Sequence, residues 1–357
     1  MGTQRLATIG RVAGVSILLA AASGNASSTL PGLQRDGSVL LPNQWSLQPV
    51  GRQIAVGNFP VNVALHPNTE IAAVLHSGYG QHEISLIDLS TARVLSTVNL
   101  EEAFYGLAWS PDGRRLYASG GGTEVIHAFD FKNGFLAKHR DFVLRPATEQ
   151  GVPNGVSVSA DGNALYVAES WGQRVEKIST KDGSRYWTHQ LTPAASGTET
   201  MPEGERVKPS NHPESPWPYT CLPDEKHGRV FVTLWAKSAV LVLDSKTGAE
   251  VARWPVGSHP NEMLLARDGR LFVAEANLNT VSVVDSTTGH VTETLTASLF
   301  PHSPPGSMPN SLTLSTDGKQ LFVANANNNN LAVFDVSTRG QAQSLGFIPV
   351  GWYPTSV

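Results

Sequence analysis

One block of text recurs along this chain, and its period limits what the chain can fold into. Each copy opens on a proline or its stand-in and runs through an alternating apolar segment. A turn follows, then a Leu-aromatic-Val-Ala strand. Copies open at Pro60, Phe104, Pro153, Pro218, Pro260, Pro309 and Pro354, mostly 42 to 49 residues apart. One interval, from Pro153 to Pro218, is 65 residues and places an insertion at 192–217. A repeat of roughly 40–50 residues is the length of a four-stranded propeller blade.

The grammar inside each copy agrees. The first strand ends in Ser110-Pro111-Asp112-Gly113, Ala160-Asp161-Gly162, Arg267-Asp268-Gly269 or Thr316-Asp317-Gly318. Asp bonds its own turn backbone and Gly accepts positive φ, so these are hairpin connections. The second strand reads Leu165-Tyr166-Val167-Ala168, Leu271-Phe272-Val273-Ala274 or Leu321-Phe322-Val323-Ala324. The third alternates, as in Val281-Ser282-Val283-Val284-Asp285. No sustained 3.6-residue period follows the N-terminal region, which argues against a TIM barrel. The pattern predicts an all-β chain: a β-propeller of four-stranded antiparallel blades, of seven-bladed type. Six full repeats and the start of a seventh are present. Charged residues make up 16% of the chain, which suits strands that face one another rather than water.

Composition narrows function by exclusion. A net charge of −4 gives no global basic field to recruit nucleic acid or an anionic membrane. The lone Cys221 rules out an intrachain disulfide and a cysteine-cluster metal site. Arg5, Arg11 and the apolar run Val12 to Ala22 read as a secretory signal over residues 1–26. Residues 27–44 read as a linker and 45–357 as the propeller. The expected location is periplasmic or extracellular, with no later segment long and apolar enough to span a membrane.

The blade text, Leu-Tyr/Phe-Val-Ala-Asn/Glu then Val-x-Val-x-Asp-x-x-Thr-Gly, resembles the YVTN repeat family and its seven-bladed YncE-like members. The runs Leu299 to Asn310 and Leu345 to Thr355, with Leu41-Pro42-Asn43-Gln44-Trp45 and Gly51-Arg52-Gln53, are similar to one subgroup. In that subgroup the propeller precedes a phosphoesterase domain of the alkaline-phosphatase superfamily. The resemblance implies a non-catalytic propeller whose partner is that domain. Residues 351–357 only open a seventh copy, so the chain reads as a C-terminally truncated fragment, with a self-sufficient six-bladed ring as the alternative. None of the domain's metal or nucleophile residues is present to be carried over. YncE-like members also bind single-stranded DNA, which suggests Trp171 and Trp235 near Arg174 and Lys237 as a stacking surface.

The loops entering each blade and those joining its second and third strands share one face. The candidate ligand residues there are His76, Asn154, Glu169, Trp171, Trp217, Trp235, His259, Asn261, Glu275, Asn310 and Asn325. The same positions also suit plain structural roles. Asn after Pro caps loops, and repeat aromatics fill space between blades. No catalytic residue, resident metal or cofactor is assigned. The main expectation is a binding scaffold for an unidentified ligand or protein. The enzyme alternative is a metal-dependent lactonase or hydrolase, with Glu169, Glu275, Asn154, Asn261 and His259 as ligands, as in gluconolactonase-type propellers. Insertion 192–217 would lie over the candidate face. Cys221 reads as a buried hydrophobe.

Overall fold

The structure, a computed structural model, describes residues 30–191 and 215–357. The signal at 1–26 and nearly all of the insertion lie outside the described residues. Six four-stranded antiparallel sheets follow one another, each a meander with its first strand innermost. Their inner strands are Pro60–Leu65, Leu107–Trp109, Pro153–Val158, Pro218–Asp224, Pro260–Leu265 and Pro309–Leu314. The chain is an all-β propeller, as its repeats predict. Residues read as a linker contribute to a small separate sheet of two-residue strands, Gly32–Leu33, Val39–Leu40 and Ser46–Leu47. Leu41 and Leu47 are buried there, which is why the segment is more than a tether.

Five apolar clusters hold the six blades, one between each neighbouring pair. Period-2 alternation produces them. On the second strands of blades 2 to 5 the aromatic points to the following blade, while its two flanking neighbours point to the preceding one. Tyr117, Tyr166, Phe231 and Phe272 are accordingly enclosed. Cys221 belongs to the cluster between blades 3 and 4, and burial pushes its thiol pKa up. It packs as a hydrophobe, as expected.

Around the central channel the inner strands are stitched by polar contacts. The Asn62 amide donates to Tyr105 O at 2.9 Å, and Thr220 Oγ1 donates to Asn261 O at 2.6 Å. Asn261 Nδ2 donates to Asn310 Oδ1 at 2.7 Å. Where blades 2, 3 and 4 meet, glycine replaces the polar side chain. A Cβ on Gly106 would sit 2.4 Å from Asn154 O, and one on Gly155 2.4 Å from Tyr219 O. The circle closes through residues 354–357, which lie between blades 6 and 1. Asn310 Nδ2 donates to Thr355 O at 3.4 Å, and Thr355 Oγ1 donates to Pro60 O at 2.6 Å. The inner ring therefore has seven members, and the seventh copy supplies only its innermost segment. On the flank of blade 1 facing that position, Val63 is 37% and Leu65 66% exposed. Their counterparts Leu107 and Trp109 are buried.

Candidate functional site

The residue before each inner-strand proline sets the geometry of the funnel. Phe59, Val152, Trp217, His259, Met308 and Tyr353 all have φ between 49° and 57°, although none is glycine. Left-handed backbone is sterically costly for such residues, the more so before proline. A repeated hydrogen bond holds the kink. Ser77, Ser170, Trp235, Ala276 and Ala326 donate their N–H to the carbonyls of Phe59, Val152, Trp217, His259 and Met308, at 3.0–3.2 Å. The kink delivers these side chains to one face, above the channel.

There a pocket of about 250 Å³ opens among blades 2 to 6. Trp171, Trp217, Trp235 and Phe104 contribute to its wall, and Asn154, Asn261 and Asn310 also line it. The rings of Trp217 and Trp235 lie 6.0 Å apart at 34°. His259 packs edge-on against Trp235 at 3.8 Å, and burial lowers its pKa, so the imidazole is neutral near pH 7. Asn154 is fully buried. Its Nδ2 donates to Ser170 Oγ at 3.0 Å, and its Oδ1 has no partner. The Asn261 Oδ1 is taken by the Glu262 N–H at 2.8 Å.

The pocket thus unites Asn154, Trp171, Trp217, Trp235, Asn261 and Asn310, with His259 beside it. The other candidates share a different position, the last residue of a second strand, and three of them tie down loops. The Asn325 amide donates to Ala297 O at 2.8 Å, in the loop entering blade 6. Glu275 accepts from Gly257 N–H at 2.6 Å, in the loop entering blade 5, and from the Thr280 and Ser282 hydroxyls. Glu169 is ion-paired to Arg145, in the loop entering blade 3, and to Arg174. The fourth, His76, is buried, with Nδ1 at 3.3 Å from Glu83 O; burial lowers its pKa. The residues proposed as metal ligands are thus split between pocket wall and latch. No group of three or more His, Cys, Asp or Glu residues able to hold a metal occurs among the described residues. Arg174, the cation suggested for nucleic acid, is held by Glu169 at 3.0 Å.

Sequence reasoning missed the level below the pocket. Tyr219 lines the pocket and packs on Tyr105 at 5.3 Å between ring centres. Beneath, the Tyr105 hydroxyl donates to Glu262 Oε2 at 2.5 Å. The signal was available. The second residues of the blocks read Val61, Tyr105, Asn154, Tyr219, Asn261 and Asn310 once aligned. The third read Asn62, Gly106, Gly155, Thr220, Glu262 and Ser311, with one acidic residue among them.

The model of the SMP-30/gluconolactonase/LRE-like region matches residues 88–193 and 189–345, most of the chain. The chain belongs to the SMP-30/gluconolactonase/LRE-like family. That membership and the blade architecture support the expected YncE-like propeller class. Solved structures share the fold of this SMP-30-like chain at low identity. A protein from Lactobacillus plantarum superposes with TM-score 0.65 at 13% identity, over 89% of this chain and 93% of its own. The hydrazine synthase of Kuenenia stuttgartiensis gives 0.64 at 14%, over 86% and 91%. Virginiamycin B lyase from Staphylococcus aureus gives 0.59 at 15%, over 81% and 84%. No curated protein matches the chain.

Proposed function

We propose that this SMP-30-like propeller is an exported binding protein that seats a compact, uncharged, ring-bearing organic molecule in the funnel pocket. The observation that carries this reading is the pocket itself: indole walls beside Asn154, whose buried Oδ1 lacks a donor. Flat apolar faces select a ring, and an unpaired buried acceptor selects an N–H or O–H on it. Indole and methyl glucoside are suitable probes, titrated into the full chain while tryptophan fluorescence is followed. Saturable quenching by one of them, weakened tenfold or more in Trp235→Ala and in Asn154→Ala, is the expected result. No response from either probe would count against the reading.

Family membership and the lyase neighbour support a second reading, lactone or lyase chemistry in the same funnel. Its test is turnover of a sugar lactone with and without added divalent cation. The phosphoesterase partner is a separate proposal and rests on the resemblance of segments 299–310 and 345–355. An in-frame phosphoesterase downstream of codon 357 would support it, and its absence would remove it.

A further inference from the structure

Below the pocket, on the far side of the Tyr105–Tyr219 pair, the channel holds a second cavity of about 170 Å³. At roughly 30 Å³ per water this is room for a few heavy atoms. Asn62, Tyr105, Thr220 and Glu262 supply its polar lining. Glu262 is half-buried in the channel wall. Two hydroxyls serve it: Tyr105, at 2.5 Å from Oε2, and Ser311. Both sit as O–H donors toward a carboxylate. No arginine, lysine or histidine acts on it, and burial raises its pKa. Two donors without a cation leave this half-buried carboxylate without a counter-charge.

We propose that the channel cavity is a binding site for a small organic ammonium ion, with Glu262 as its counter-ion and the Tyr105 ring in its wall. The arguments are chemical. A carboxylate already hydrogen-bonded by two hydroxyls needs positive charge rather than another donor. Tyrosine faces attract ammonium groups, most strongly where water is excluded. A lone carboxylate among neutral oxygens suits an alkylammonium better than a metal ion, which collects several anionic or imidazole ligands. This site is independent of the ring-binding pocket above it.

Occupancy should couple to protonation. The groups facing Glu262 come from three inner strands: Tyr105 from blade 2, Tyr219 from blade 4 and Ser311 from blade 6. Burial raises both tyrosine pKa values and that of Glu262. The ammonium binds the ionised carboxylate, so affinity rises with pH as Glu262 loses its proton.

The test is calorimetric titration of n-butylammonium chloride into the full chain at pH 5 and pH 8, with 1-butanol as the neutral isostere. We expect ammonium binding at least tenfold tighter than butanol binding, and tighter at pH 8 than at pH 5. Glu262→Gln with an unchanged near-UV spectrum should lose the ammonium preference tenfold or more. Trp171→Ala, which alters only the upper pocket, should leave it intact. Equal binding of butanol, no dependence on pH, or full ammonium affinity in Glu262→Gln would each overturn the proposal. The wild-type pH and isostere comparisons decide the matter even where the variant misfolds. A null result with the ring probes above would leave this site untouched.

Discussion

Arg145 shows how one residue settles the fate of several others. Its side chain is 3% exposed and meets Glu124 at 3.1 Å, Glu176 at 3.3 Å, and Glu169. Arg174 and Arg185 approach the cluster from the partly exposed side. Burial and then the charge of Glu176 raise the Glu169 pKa, and Arg145 opposes them. Removing a partner from such a buried cluster costs about 3–5 kcal/mol, because the remaining carboxylates lose their compensation. Arg145→Met should show a loss of that order in urea unfolding at pH 7. The sign of the pH effect follows from the raised Glu169 pKa. Its protonated form is the one the fold favours, so that contribution is complete below the unfolded value and lost as pH rises through the folded one. The deficit of Arg145→Met should therefore shrink near pH 4.5; a deficit that grew there would contradict the assignment. In the sequence, Glu169 reads as a funnel carboxylate. Its partner lies in the loop entering the same blade, 24 residues back, and no local spacing reveals that pairing.

At the scale of the strand, the repeat dictates more. The aromatic of the second strand recurs as Tyr117, Tyr166, Phe231, Phe272 and Phe322, always on the same side of the pleat. In the first four the next blade covers it. Phe322 faces the position of the seventh copy and remains half-buried. Phe272→Ala should cost about 3–5 kcal/mol, as for other buried aromatics, and Phe322→Ala clearly less. Equal losses in thermal or urea unfolding would mean that Phe322 is as enclosed as its counterparts. The Asp-Gly turns were legible because they are local. Ser159 Oγ donates to Asp161 Oδ1 at 2.6 Å and the Asn163 N–H at 3.0 Å, which holds the Asp161 pKa down to about 2. The latch at the end of the second strand was not legible. Its residues, His76, Glu169, Glu275 and Asn325, differ chemically, and the last three act on loops 18 to 28 residues back in sequence. The left-handed kink before proline was equally hidden, since Phe, Val, Trp, His, Met and Tyr at that position share no side-chain property.

Across the whole molecule, stability is divided into neighbour contacts, five apolar interfaces and an inner polar ring. Among the described residues, Thr355 links the inner strands of blades 6 and 1 within that ring. Thr355→Val removes the hydroxyl that reaches Pro60 O and keeps the side-chain shape. A single hydrogen bond of this kind contributes about 0.5–1.5 kcal/mol. The expected outcome is a loss in that range, with faster amide exchange in Pro60–Leu65 and little change in blades 3 and 4. Unchanged exchange in blade 1 would show that the ring closes by other means. The sequence by itself determined the strands, their turns, their grouping into copies and the propeller they make. Those follow from periods of two residues and of about 45, both written into the chain. Only the tertiary structure decided which loop residues converge on the pocket, which become latches, and that Glu262 stands in the channel with hydroxyls and no cation. Bringing seven copies around one axis places residues some 45 positions apart side by side, and the chemistry of a site is set by those neighbours.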